Sequence, residues 1–486
     1  MNGVSIEPGA VHTRGQLTHL TTANVLACGR GESGILVQSE DLAGLRSSET
    51  PHAWEDEMGT WLALLVGALS GGAITLAVAK GILGQIGVAA FKGASGVAAR
   101  IYRKHADARH ATREARNPLV VKMTRALSQP GLYELLADLY SRHPILSRAD
   151  WTYPAAVFVL DEPQPLDRDR PRLLVQSPQW RQYDDYHAPV RWGGDRYRQR
   201  LIKQGSKIVN NDTYTMELIV PDPTDPRIVC NVGQYNWYIN TCGALDWELL
   251  SLFSRARSGR LRTGEDLLAE LPLRRQLHET VGDPVLIGRG RSAPLHVSTM
   301  IVFPHKGRRL VWMRKRKVSG VALNPGQLAV VPSGMVQPEL HYYEEELDIW
   351  HTVMREYLEE LFDVRAPKNA KYDWFYHDPH VLDMRELLRT GQAKLWVTGV
   401  TVNLCSLLPE VCTLLVVYTD DWYDSSAFAF NEEYDDKGRK WLPLSNDDGD
   451  MLLLLQPAKV VPGCASAFWL GVDALRLIEG TQEHRL

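Results

Sequence analysis

The hydrophobic pattern of this chain changes period twice. From 59 to 79 it is continuous: "GTWLALLVGALSGGAITLAVA" runs 21 residues without a charge, the length of a helix that spans a bilayer. Glu55, Asp56 and Glu57 precede it, and Lys80, Lys92, Arg100, Arg103 and Lys104 follow. The positive-inside rule then puts the rest of the chain in the cytoplasm. Ala63, Gly67, Gly71, Thr75 and Ala79 recur every four residues, a small-residue stripe that lets a second helix approach and suggests a homo-oligomer. The Gly/Ala-rich stretch that follows, to residue 99, contains Lys92 and reads as a second, weaker span or an interfacial helix.

Beyond it the period becomes that of a folded domain. Residues 100–117 form a basic connector. After Pro118 helical and strand-like periods mix: "GLYELLADLYSRH" (131–143) and "CGALDWELLSLFSRA" (242–256) are amphipathic at helical spacing. "YPAAVFVL" (153–160), "TYTMELIV" (213–220) and "RIVCNVGQYNWYI" (227–239) read as strands. Residues 118–284 are therefore an accessory α+β domain. From 285 to 486 the strands dominate: "HVSTMIVF" (296–303), "RRLVWMRKR" (308–316), "GQLAVVPSG" (326–334), "KLWVTGVTVNL" (394–404) and "EVCTLLVVYT" (410–419). Between the third and fourth, residues 346–361 predict a helix. Trp350, Val353, Met354, Tyr357, Leu358 and Leu361 make one apolar stripe along it.

Composition narrows the classes. A chain of 486 residues with 44% hydrophobic content has ample core for two or three domains. A net charge of -4 is no whole-chain signature of nucleic-acid binding. Six scattered cysteines without a C-x-x-C pair read as reduced cytosolic thiols. The first 58 residues, rich in Gly, Ser, Thr and Glu, are expected to be poorly ordered.

The chemistry gathers on the 346–361 helix. Glu356, Glu359 and Glu360 fall within about 100° of arc beside the apolar stripe. A solvated face is the ordinary reading of such glutamates. Like charges at i and i+4 repel, however, and a hard divalent cation would remove that penalty.

Together with "VPSGMVQPE" upstream, "REYLEEL" resembles the box of the Nudix hydrolase family, G-x5-E-x7-R-E-U-x-E-E-x-G-U with U aliphatic. Gly334 matches the opening glycine, and Arg355, Glu356, Glu359 and Glu360 match R-E-U-x-E-E, with Tyr357 at the U position. The box departs from the pattern in three places. Extra residues, including those of "LHYYEEELD", lie before the helix; Leu347 stands where the upstream acid is expected; and Phe362 replaces the glycine that ends the motif. The resemblance covers 285–486 and implies an α/β/α sandwich whose members cleave a nucleoside diphosphate linked to another group. It implies Mg²⁺ (or Mn²⁺) on Glu356, Glu359 and Glu360, with Arg355 orienting the helix by pairing with an upstream acid such as Glu346. Glu432 or Glu433 would be a base or further ligand, and Arg289 and Arg291 candidates for phosphate contact. Two functions follow: a membrane-tethered diphosphate hydrolase, or a Nudix-like sensor that binds a nucleotide-type ligand without turnover and drives a membrane effector.

Overall fold

The computed structural model describes Ala126 and residues 131–483, apart from 167–174, 177–195, 204–207, 224–226, 255–260, 318–323, 325, 368, 427, 429–439 and 445–448. The expected membrane segment 59–99 and the basic connector lie outside the described residues, as do Glu432 and Glu433. Among the described residues no helix is long and apolar enough to cross a membrane.

The strands are β1 (Ile145–Arg148), β2 (Trp151–Pro165), β3 (Val175–Gln176), β4 (Asp212–Val220), β5 (Arg227–Gln234), β6 (His296–His305), β7 (Arg308–Lys315), β8 (Leu328–Val330), β9 (Ser333–Met335), β10 (Ala393–Asn403), β11 (Leu408–Val417) and β12 (Lys440–Pro443). Nine of them form a mixed sheet in the order β1-β2-β10-β11-β6-β7-β12, with β8 beside β7 and β9 beside β6. Its centre is the parallel pair β11–β6, in register from Glu410 opposite His296 to Val416 opposite Val302. Parallel strands are covered on both faces, so they read as apolar runs. Accordingly, seven consecutive residues of β6, Val297–Phe303, are buried. The closing helix, Pro462–Glu483, packs on β2, β6, β8, β10 and β11.

The accessory region shares this sheet. β2 pairs antiparallel with β10, Phe158 opposite Val400 and Ala155 opposite Asn403, so the sheet crosses the expected boundary at 284/285. A second sheet, β3-β5-β4, carries the remaining accessory strands. Two arginines lock accessory segments to the turn after β10. Arg274, fully buried, donates to the carbonyls of Leu404 (2.8 Å) and Cys405 (2.5 Å) and to the Tyr140 hydroxyl (2.7 Å). Arg291 donates to the carbonyls of Ile287 (2.8 Å), Pro284 (2.6 Å) and Leu407 (3.2 Å).

Two sequence readings change. "RIVCNVGQYNWYI" is not one strand: β5 ends at Gln234, and Tyr235–Asn240 is a helix. "GQLAVVPSG" is two short strands with different neighbours, β8 on β7 and β9 on β6.

Candidate functional site

The acid helix spans Ile349–Phe362. It starts where Asp348 accepts from the backbone N–H groups of Trp350 (2.7 Å) and His351 (3.3 Å), an N-cap that satisfies two otherwise orphaned donors. Its stripe is buried as expected, with Val353, Met354, Leu358 and Leu361 fully covered. The missing terminal glycine is accommodated by one further residue of helix. Phe362 remains helical and stacks on His380, with ring centroids 3.8 Å apart. The left-handed position falls on Asp363, at φ 54°, a residue type that tolerates it.

Arg355 is the hub. Its side chain is 3% exposed, and its guanidinium donates to Glu339 Oε1 (2.8 Å), Glu356 Oε1 (2.8 Å) and the carbonyl of Met335 (2.9 Å). Glu359 lies 3.5 Å away, one turn on. Burial alone would lower the pKa of this arginine, but Glu356, Glu339, Glu359 and Glu346 together hold it well above the usual value.

The upstream acid that pairs with Arg355 is Glu339, in place of the expected Glu346. Counting back from the helix points to position 347, because the insertion lies between the two halves of the box. Counting forward from Gly334 reaches Leu340, and Glu339 stands one residue short of that spacing, within "VPSGMVQPE". Glu346 closes the inserted loop instead. It is 2% exposed and accepts from the backbone N–H groups of Leu340 (3.2 Å) and Tyr342 (2.9 Å). Burial raises its pKa, partly offset by those two N–H groups. The same loop is tied to β4: the Tyr343 hydroxyl donates to Asp212 Oδ2 (2.7 Å), and the Tyr214 hydroxyl donates to the Tyr343 carbonyl (2.8 Å).

The other box carboxylates grip β9. Glu360 Oε2 accepts from the backbone N–H of Ser333 at 2.7 Å. Glu356 lies directly against Gly334, where a Cβ would fall on its carboxylate. This close approach is the physical reason for glycine at 334. Gly334→Ala should therefore push Glu356 off Arg355 or shift β9, at a cost of about 1–3 kcal/mol; urea titration of the variant beside the parent chain checks it. Glu359 is pushed up from the usual carboxylate range by burial, against the pull of Arg355.

The phosphate role suggested for Arg291 is replaced by the structural one described above: it is 1% exposed and bonded to three carbonyls. Arg289 is exposed.

Glu339, Glu346, Glu356 and Glu359 thus crowd the surroundings of Arg355, with Glu360 on the same helix. An all-oxygen donor set suits a hard divalent cation. As the side chains stand, no group of three acids, histidines or cysteines converges closely enough to hold a metal ion among the described residues. Cation binding would require Glu356 and Glu360 to exchange partners.

No protein-family model matches this chain, and no curated protein matches it. Among solved structures, it is similar to the NUDIX domain of Shewanella oneidensis NrtR complexed with ADP ribose: 17% identity, 40% of this chain and 90% of that chain covered, TM-score 0.19. It is also similar to a NUDIX hydrolase from Alicyclobacillus acidocaldarius: 15% identity, 37% and 91% covered, TM-score 0.23.

Proposed function

We propose that residues 285–486 act as a Nudix-type hydrolase that cleaves a diphosphate bond in a nucleoside diphosphate-type substrate. The observation behind this reading is the clamp on Arg355: one buried guanidinium joins Glu339, the Met335 carbonyl beside Gly334, and Glu356 on the acid helix. It holds the two halves of the box together across the inserted loop. Glu356, Glu359 and Glu360 would be the residues to hold Mg²⁺ or Mn²⁺, which when bound would polarise phosphate oxygens and lower the pKa of water. The chain's own part is positional. Gly334 leaves room for Glu356, Glu360 ties the start of β9 at Ser333 to the helix, and Asp348 fixes where the helix begins. Glu432 or Glu433 remains the proposed base or further ligand, and Arg289 a proposed phosphate contact. The uncharged segment 59–79 would tether the domain to a membrane, on its cytoplasmic side, and its small-residue stripe would support self-association.

One observation favours a second reading, the non-catalytic nucleotide sensor: Glu356 and Glu360 are already engaged with Arg355 and Ser333. The full chain, assayed on a panel of nucleoside diphosphate derivatives with Mg²⁺ or Mn²⁺, separates the two. Metal-dependent turnover that Glu359→Gln and Glu360→Gln both abolish is the expected result. Saturable nucleotide binding without turnover, unchanged in both variants, would overturn the hydrolase and leave the sensor.

A further inference from the structure

The arginine at the centre of the box has no free reach. Arg355 is 3% exposed, and its guanidinium is taken by Glu339, Glu356 and the Met335 carbonyl. Arg291 is taken by three carbonyls. A diphosphate is an anion, and any Mg²⁺ at the site would share its charge with the box carboxylates. Such a substrate needs a cation that can reach it past those carboxylates.

The end of the acid helix supplies one. The helix stops at Phe362, Asp363 takes the left-handed position, and the N–H groups of Asp363 and Val364 both reach back to the Leu358 carbonyl. The chain therefore reverses against the last turn of helix. Val364 is packed against the core, and Arg365, the next residue, is exposed. The reversal brings its charge to Glu359. Burial, Glu356 and Glu339 push the Glu359 carboxyl up, while Arg355 and Arg365 pull it down. Of those two cations Arg355 is enclosed and Arg365 is open to solvent. Among the described residues the Arg365 guanidinium has no hydrogen bond or ion pair of its own.

We infer that Arg365 is a phosphate contact of the acid-helix site, its guanidinium holding the diphosphate of the substrate beside Glu359. This rests on the diphosphate-binding reading of that site and names the residue that meets the anion. The planar fork of a guanidinium matches two phosphate oxygens at once, which a lysine ammonium does not.

Calorimetric titration of the full chain, with Mg²⁺ present, against the α,β-methylene diphosphates of adenosine, guanosine, cytidine and uridine tests it; the bridging carbon blocks cleavage, so binding alone is read. At least one should bind. Arg365→Ala should weaken it by about tenfold, and Arg365→Lys, which keeps the charge, by less. Thermal melts of the parent and Arg365→Ala should coincide, since the side chain is exposed. Equal affinity of the parent and Arg365→Ala would overturn the inference; turnover of a diphosphate derivative by that same parent would leave the hydrolase standing without it. Binding that Arg365→Ala weakens, with no turnover of any derivative, would keep Arg365 as the contact and remove the hydrolysis. A parent that neither binds an analogue nor turns over a derivative would overturn both.

Discussion

Arg355→Met will destabilise the fold by about 3–5 kcal/mol, the range found when one member of a buried ion pair is removed. Methionine keeps much of the side chain's length and apolar stem, so packing is largely preserved and charge is what is lost. Glu339 and Glu356, each 2.8 Å from the guanidinium, and Glu359 at 3.5 Å, would then face one another without the charge that joins them. The loss should be largest at pH 8 and shrink towards pH 5. Without Arg355 the acids bind protons more readily in the folded state than in the unfolded one, so the variant gains stability as pH falls. Urea unfolding at the two pH values measures this. A loss that stayed the same at both would mean that the arginine acts by packing alone.

Glu410→Gln will raise stability at pH 8 by up to about 3 kcal/mol and leave it nearly unchanged at pH 4. Glu410 lies on β11 beneath the start of the closing helix. The Ser298 hydroxyl donates to it, and a Cβ on Gly463 would overlap its carboxylate. Burial pushes its pKa up to about 7, with the Ser298 hydrogen bond only partly opposing. The unfolded chain loses this proton near the ordinary carboxylate value and the folded chain only near 7. Stability therefore falls as pH rises through that window, and the penalty is complete above it. Glutamine keeps the hydrogen bond with Ser298 and has no charge to desolvate. Thermal melts of parent and variant across pH 4–8 should diverge in that interval; parallel curves would show that Glu410 is hydrated in the folded state.

How much of this was legible in the sequence differs from residue to residue. The acid helix was legible because its signal is local. Trp350, Val353, Met354, Leu358 and Leu361 share a face by helical period alone, and the structure buries all of them. The partner of Arg355 was not. Glu339 and Glu346 are both acids upstream of the helix, and choosing between them depends on how residues 340–348 fold back, with Glu346 drawn into backbone contacts of its own loop. Arg291 was a candidate for phosphate contact and is a buried clasp on three carbonyls, since neither Pro284, Ile287 nor Leu407 announces itself as a partner. The strand-like run after Gln234 turned helical where a local alternation of polar and aromatic residues did not decide the backbone.

By itself the sequence determined the local periods: where the longer strands of the large sheet and the acid helix lie, which of their faces are apolar, and that Arg355, Glu356, Glu359 and Glu360 project from one helix. These follow from geometry repeated every few residues. Only the tertiary structure decided that β2 joins the sheet of β10, that Gly334 abuts Glu356, and that Glu339 holds Arg355. Each of these contacts joins residues that no local period brings together, and its energy belongs to the folded arrangement rather than to any one stretch of the chain.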